Sequence, residues 1–173
     1  MFGEHHVVKF PVLESKVTYS QALRSTAFFH KNFGNLVAQT EIEKEKFNSY
    51  VVKQDFVPGM MLGEFIQKNG ISPEVLGYMQ AFANRAWQIY KDDGVTFDIL
   101  GSSTRKNESE SGWEDCKNII VTPNGESKYI DTVDASKSLG QGKIMNNLAQ
   151  LFHGRKKRVT LLEKLLDQLH STH

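Results

Sequence analysis

The chain has 173 residues, enough for one compact domain with a real core or for two small lobes. Hydrophobic residues make up 39% and charged residues 24%, and a formal net charge of +1 gives no global field to draw nucleic acid or an anionic membrane. Cys116 is the single cysteine, which excludes an intrachain disulfide and fits a reducing cytoplasm; no apolar run approaches the roughly 20 residues of a membrane span, and no basic-then-apolar leader opens the sequence.

His6 to Phe10, "HVVKF", is expected to form a short buried strand ended by Pro11. Thr18 and Gln21 have the spacing of a capping box, so a helix should begin there and stop at Gly34. Ala22, Leu23, Ala27, Phe29 and Phe33 would supply its apolar face. "EIEKEK", 41–46, reads as a charged, solvated turn. "FNSYVVKQDFVPG", 47–59, reads as a strand running into a Pro-Gly break, and a short helix should follow over Met61 to Gln67, stopped by Asn69-Gly70.

The clearest helix starts at Ser72, a good N-cap with Pro73 behind it, and ends at Asp92-Asp93-Gly94. Val75, Met79, Phe82, Ala86 and Ile89 recur at helical spacing, widened by Leu76, Ala83, Trp87 and Tyr90, so this helix belongs in a core. "VTFDIL", 95–100, is a strand or extended segment, and the polar stretch 101–117 is expected to be a mobile surface loop. Two short strands then flank Asn124-Gly125, a two-residue turn signal. Helices over roughly 138–152 and 159–170 finish the chain, with the basic run "GRKKR", 154–158, as a turn between them. Strands and a helix come first and helices dominate later, which is an α+β order in two parts.

The hairpin "NIIVTPNGESKYID", 118–131, carries an amide at its entrance and a carboxylate at its exit. Asn118 and Asp131 both offer oxygen ligands, which suit a hard cation such as Mg²⁺. Such a cation takes only one or two protein ligands and completes its shell with water and phosphate oxygens. The bland alternative is a hairpin whose Asn and Asp cap neighbouring turns. His5 and His6 are adjacent in a strand and point to opposite faces, and no base can be assigned to Cys116.

In these residues the sequence resembles the protein-kinase-like superfamily, in its atypical bacterial and small-molecule-kinase branch. "NIIVTPNGESKYIDT" is similar to the form N-I-L-V-x-x-x-G-x-x-x-x-I-D found there. "VVKFP" places Lys9 like the strand lysine that contacts the α/β-phosphates. "YVVKQDFVPGMML" looks like the strand that runs through the adenine-binding hinge, here Gln54, Asp55, Phe56 and Val57. The resemblance covers roughly residues 6–135 and implies a reduced two-lobed kinase-like fold. Residues 1–58 would be a partial N-terminal lobe of strands and one helix, and 59–173 a helical C-terminal lobe, with 101–117 inserted in its catalytic loop.

It also implies ATP and Mg²⁺ as cofactors, with Asn118 and Asp131 as metal ligands, and transfer of the γ-phosphoryl group to a hydroxyl acceptor. The family's base lies five residues before the Asn, where this chain has Trp113. Asp98, at the end of the extended "VTFD", is the favoured base and Asp115 the second candidate. Only eight residues precede Lys9, too few for a glycine-rich strand pair, so the chain is either truncated there or a reduced fold, and residues 18–34 hold no acidic partner for Lys9. These departures favour a pseudokinase, a nucleotide-binding or protein-interaction module, as the alternative. A third reading is a basic interaction segment at Arg155–Arg158 that binds nucleic acid without any nucleotide.

Overall fold

The computed structural model describes residues 5–10, 17–46, 49–101, 111–133, 139 and 155–171. They form a mixed α+β fold with two small antiparallel sheets. No helix among them is long and apolar enough to cross a membrane.

The first sheet holds β1 (His6–Lys9), β2 (Thr40–Lys44) and β3 (Tyr50–Asp55) in the order β1-β3-β2. β3 is the centre, with Lys9 opposite Val52 on one side and Thr40 opposite Gln54 on the other. The expectation of a buried first strand is corrected: β1 is an edge, and Val7, Val8 and Phe10 are 38%, 40% and 74% exposed. An edge strand has a neighbour on one side only, so apolar sequence does not secure burial. The solvated turn expected at 41–46 is likewise corrected, because most of it is β2. Thr40 and Ile42 are buried while Glu41 faces solvent and Glu43 pairs with Lys53 at 2.6 Å. This is a period of two whose outer face happens to be charged.

α1 (Tyr19–Phe33) follows the expected capping box: Gln21 N–H donates to Thr18 Oγ1 at 3.3 Å, and Thr18 N–H donates to Gln21 Oε1 at 2.8 Å. Its buried face is Ala22, Ser25, Thr26, Phe29 and Phe33, whereas Leu23 is 45% exposed and Ala27 also faces solvent. β4 (Met60–Met61) leads into α2 (Leu62–Asn69), which Gly70 ends. α3 (Pro73–Asp93) is capped as expected by the Ser72 hydroxyl and by left-handed Gly94, and all five residues of its predicted apolar row are buried. Residues 95–100 form no strand and join neither sheet, with a bend at 99–100 and Val95, Phe97, Ile99 and Leu100 in the core.

The second sheet runs β4-β5-β6, where β5 is Ile119–Val121 and β6 is Ser127–Tyr129. The two-residue turn expected at Asn124-Gly125 is corrected to a three-residue loop. Thr122 N–H donates to Glu126 O at 2.8 Å, enclosing Pro123, Asn124 and Gly125, and Gly125 takes the left-handed place with φ 84°. The last helix, α4, is Arg155–His170, so Arg155–Arg158 open that helix instead of forming a turn. Arg and Lys are good helix formers and need no interruption there. The helix expected over 138–152 falls outside the described residues, apart from Leu139.

The surface loop expected at 101–117 is corrected over its second half. Residues 102–110 lie outside the described residues, but Ser111, Gly112, Trp113 and Cys116 are buried and 113–115 form a 3₁₀ turn. One tryptophan among polar residues is enough to anchor such a segment when a core offers it a slot. The main core gathers Phe29, Phe33, Phe82, Phe97 and Tyr129 in one aromatic cluster, with Tyr129 stacked on Phe29 at 5.3 Å between ring centroids. A second, smaller cluster of Ala22, Ile42, Tyr50 and Val52 lies between α1 and the first sheet.

Candidate functional site

Lys9 reaches across from β1 to the end of the hairpin. Its Nζ donates to Gln54 Oε1 at 2.8 Å and to Ile130 O at 3.0 Å. Gln54 is buried, and its Nε2 donates to the same Ile130 carbonyl at 2.9 Å and to Thr40 Oγ1 at 2.8 Å. One carbonyl therefore gathers an amine from β1 and an amide from β3, one residue short of Asp131. Burial lowers the Lys9 pKa, and the nearby Asp131 carboxylate opposes that shift. The amine is thus held in a partly dry place with an anion as neighbour. Val7, two residues before Lys9, shares its face of β1 and is 38% exposed.

Asn118 and Asp131 sit at the open end of the hairpin as the sequence suggests. Ile130 N–H donates to Asn118 O at 2.8 Å, which extends the pairing one step beyond Ile119 opposite Tyr129. The Asn118 side chain is fixed by Nδ2 donating to Asp98 O at 3.0 Å. A carbonyl only accepts, so the amide nitrogen must face it and Oδ1 turns the other way, toward Gly101. Asp98 is in turn oriented by Gly101 N–H, which donates to its Oδ1 at 2.9 Å. Tyr129 supplies its hydroxyl to Asp98 O at 2.9 Å while its ring lies in the aromatic core. Asp98 and Asn118, twenty residues apart, are therefore joined side by side on a rigid base.

The other candidates fall elsewhere. Gln54 and Asp55 still belong to β3, and Phe56 and Val57 leave it. Asp55 N–H donates to Gln39 O and Phe56 N–H to His5 O, so the sheet engages both backbone donors. Asp115 accepts from Gly112 N–H within its own 3₁₀ turn at 3.4 Å. Cys116 is fully buried, and burial pushes its thiol up to about 12, which rules it out as a nucleophile near neutral pH. Among the described residues no group of three or more His, Cys, Asp and Glu side chains could cage a metal. An amide oxygen and a carboxylate do fit a hard cation that brings further oxygen ligands with it.

Sequence reasoning missed the Gln54 side chain, the Tyr129 hydroxyl and Gly101. Gln54 is part of an apolar-looking strand, and only its complete burial marks it as a buried polar group that needs partners. No protein-family model matches this chain, and no curated protein matches its sequence.

Proposed function

We propose that this protein is a phosphotransferase of reduced kinase-like fold, which moves the γ-phosphoryl group of ATP to a hydroxyl acceptor with Mg²⁺. The observation that carries the reading is the convergence of Lys9, Asp98, Asn118 and Asp131 from three separate stretches of chain. Two further features support it. The first sheet is built in the order lysine strand, helix, then two strands, the second leading out to the helical part. In addition, Lys117 N–H donates to Leu100 O at 2.7 Å, which brings the two ends of the stretch 101–116 side by side. Without those sixteen residues Asn118 would follow Asp98 by four, one short of the spacing of the kinase catalytic loop D-x-x-x-x-N.

In this reading Lys9 neutralises α/β-phosphate oxygens, and the arriving anion replaces the hydration that burial has removed from the amine. Asn118 Oδ1 and the Asp131 carboxylate would hold Mg²⁺, which supplies positive charge against the phosphates. Asp98, held by Gly101 N–H, orients the acceptor hydroxyl. The acceptor oxygen forms its bond to the γ-phosphorus as the bond to the β–γ bridging oxygen breaks; the hydroxyl proton passes to Asp98 and ADP leaves. Catalysis of this kind is positioning and electrostatics, so its parts need to be fixed before substrate arrives.

A pseudokinase remains the second reading, favoured by one observation. α1 places no carboxylate beside Lys9, and the neutral Gln54 amide occupies that role. Calorimetric titration with ATP, with and without Mg²⁺, on the wild type and Asp131→Ala tests both. Mg²⁺-dependent binding lost in the variant supports a nucleotide site, and phosphoryl transfer to added hydroxyl compounds then separates enzyme from pseudokinase. Absence of binding under all conditions would sink the phosphotransferase and leave the pseudokinase only as a protein-interaction module.

A further inference from the structure

We infer that Trp113 is a positioning residue: through the short arm 113–118, the final helix α4 sets Asn118 against Asp98. What that pair does rests on the phosphotransferase reading; that α4 sets it does not.

Three consecutive carbonyls on the outgoing side each accept from the returning side. Asp98 O takes Asn118 Nδ2 at 3.0 Å, Ile99 O takes Cys116 Sγ at 3.3 Å, and Leu100 O takes Lys117 N–H at 2.7 Å. This ladder joins the ends of the sixteen-residue stretch 101–116, and closing a stretch of that length costs conformational entropy. The returning arm is also fixed from outside. Trp113 is 3% exposed and its Nε1 donates to Leu165 O, in the middle of α4, at 3.0 Å. Lys164 Nζ, one residue earlier on α4, donates to Ser111 O at 2.7 Å. From the other side Gly63 N–H in α2 donates to Cys116 O at 2.9 Å.

Packing in the main core and a directed hydrogen bond together hold the indole. Trp113 borders an open cavity of about 420 Å³, which Ile66, Met79 and Leu169 also line. Burial restrains the ring, and the directed bond to Leu165 O fixes its orientation toward α4. Four residues separate Trp113 from Asn118, and Asp115, Cys116 and Lys117 among them make backbone hydrogen bonds, so a displacement at Trp113 is passed along the arm to Asn118.

The test compares wild type with Trp113→Phe, which keeps an aromatic ring and removes the donor. Amide hydrogen exchange is read at Lys117 and Ile130, whose N–H groups bond Leu100 O and Asn118 O. Exchange at both should rise about tenfold, with Val51 and Val52 in β3 unchanged. ATP affinity should fall about tenfold in Mg²⁺ and stay constant without it. Unchanged exchange at Lys117 and Ile130, or an equal rise everywhere, would overturn the inference. So would faster exchange with intact Mg²⁺ dependence, since Trp113 would then be a strut only. If wild type binds no ATP, the functional reading fails, and exchange alone decides whether α4 sets the arm. Lys164→Met removes the other bond from α4 and should give the same pattern more weakly if Trp113→Phe does not fold.

Discussion

Gly101 holds φ at +71°, and a Cβ built there would run into the Asn118 side-chain amide. Gly101→Ala therefore faces both a left-handed backbone and a collision at the metal-ligand candidate. A non-glycine residue in such a conformation costs about 1–3 kcal/mol. Urea denaturation should show a loss of that size, and calorimetry should show Mg²⁺-dependent nucleotide binding lost with it. Cys116 gives a prediction in pH. Burial raises its thiol from an ordinary value of 9.0 to about 12, so the folded state keeps a proton that the unfolded chain releases. Its contribution is complete below pH 9 and is lost as pH rises toward 12. Tyr78, buried and raised well above its usual value, acts in the same direction. Cys116→Ala should flatten, without abolishing, the fall of the urea midpoint across that window. A slope equal to wild type would remove Cys116 as a cause. At this scale the sequence exposes residues whose neighbours are local, such as the Thr18–Gln21 box. It hides Gln54 and Gly101, because their partners, Lys9, Ile130 and Asn118, lie far along the chain.

Two glycines on helices separate local cost from tertiary contact. Gly77 lies exposed in α3, and a Cβ there meets nothing within 4 Å. Gly77→Ala should raise stability by about 0.5–1 kcal/mol, the entropy a mid-helix glycine loses on folding. Gly63 lies in α2 with the Glu114 carbonyl against it, where a Cβ would clash with backbone. Gly63→Ala should lower stability by about 1–3 kcal/mol, as overpacking does. Opposite shifts of the urea midpoint in the two variants check the pair; equal shifts would mean that α2 does not depend on its contact with the 3₁₀ turn. Sequence alone cannot tell these glycines apart, since both interrupt helical patterns. It did place the ends of α1, α2 and α3, because caps are local chemistry at Thr18, Ser72, Gly34, Gly70 and Gly94. It missed β2, whose alternation is hidden under Glu and Lys, and the burial of 111–116, which depends on a slot made by α2 and α4.

The two cores differ in size, and the site lies between them. The first sheet rests on a cluster of four buried residues, while Tyr129 and the hairpin belong to the large aromatic core. β1 adds little, since it is an exposed edge. A unit with few buried apolar contacts opens at lower free energy than the whole. In the free protein, amides of β1, β2 and β3 should exchange faster than those of β5, β6 and α3. Lys9–Ile130, Gln54–Ile130 and Ser25–Thr132 tie the sheet and α1 to the hairpin, and a bound nucleotide would add phosphate contacts to Lys9 on one side and Mg²⁺ contacts to Asn118 and Asp131 on the other. Opening the sheet would then require release of the ligand. At a hundred times its Kd, a ligand adds about 2.7 kcal/mol to that opening, so exchange at Val51 and Val52 should slow about a hundredfold with Mg²⁺ and ATP. The same excess of ATP should protect less without the metal, because only the Lys9 side of the bridge would be engaged. Uniform exchange across both sheets in the free protein would contradict the two-core reading, and protection confined to the hairpin would remove Lys9 from the site.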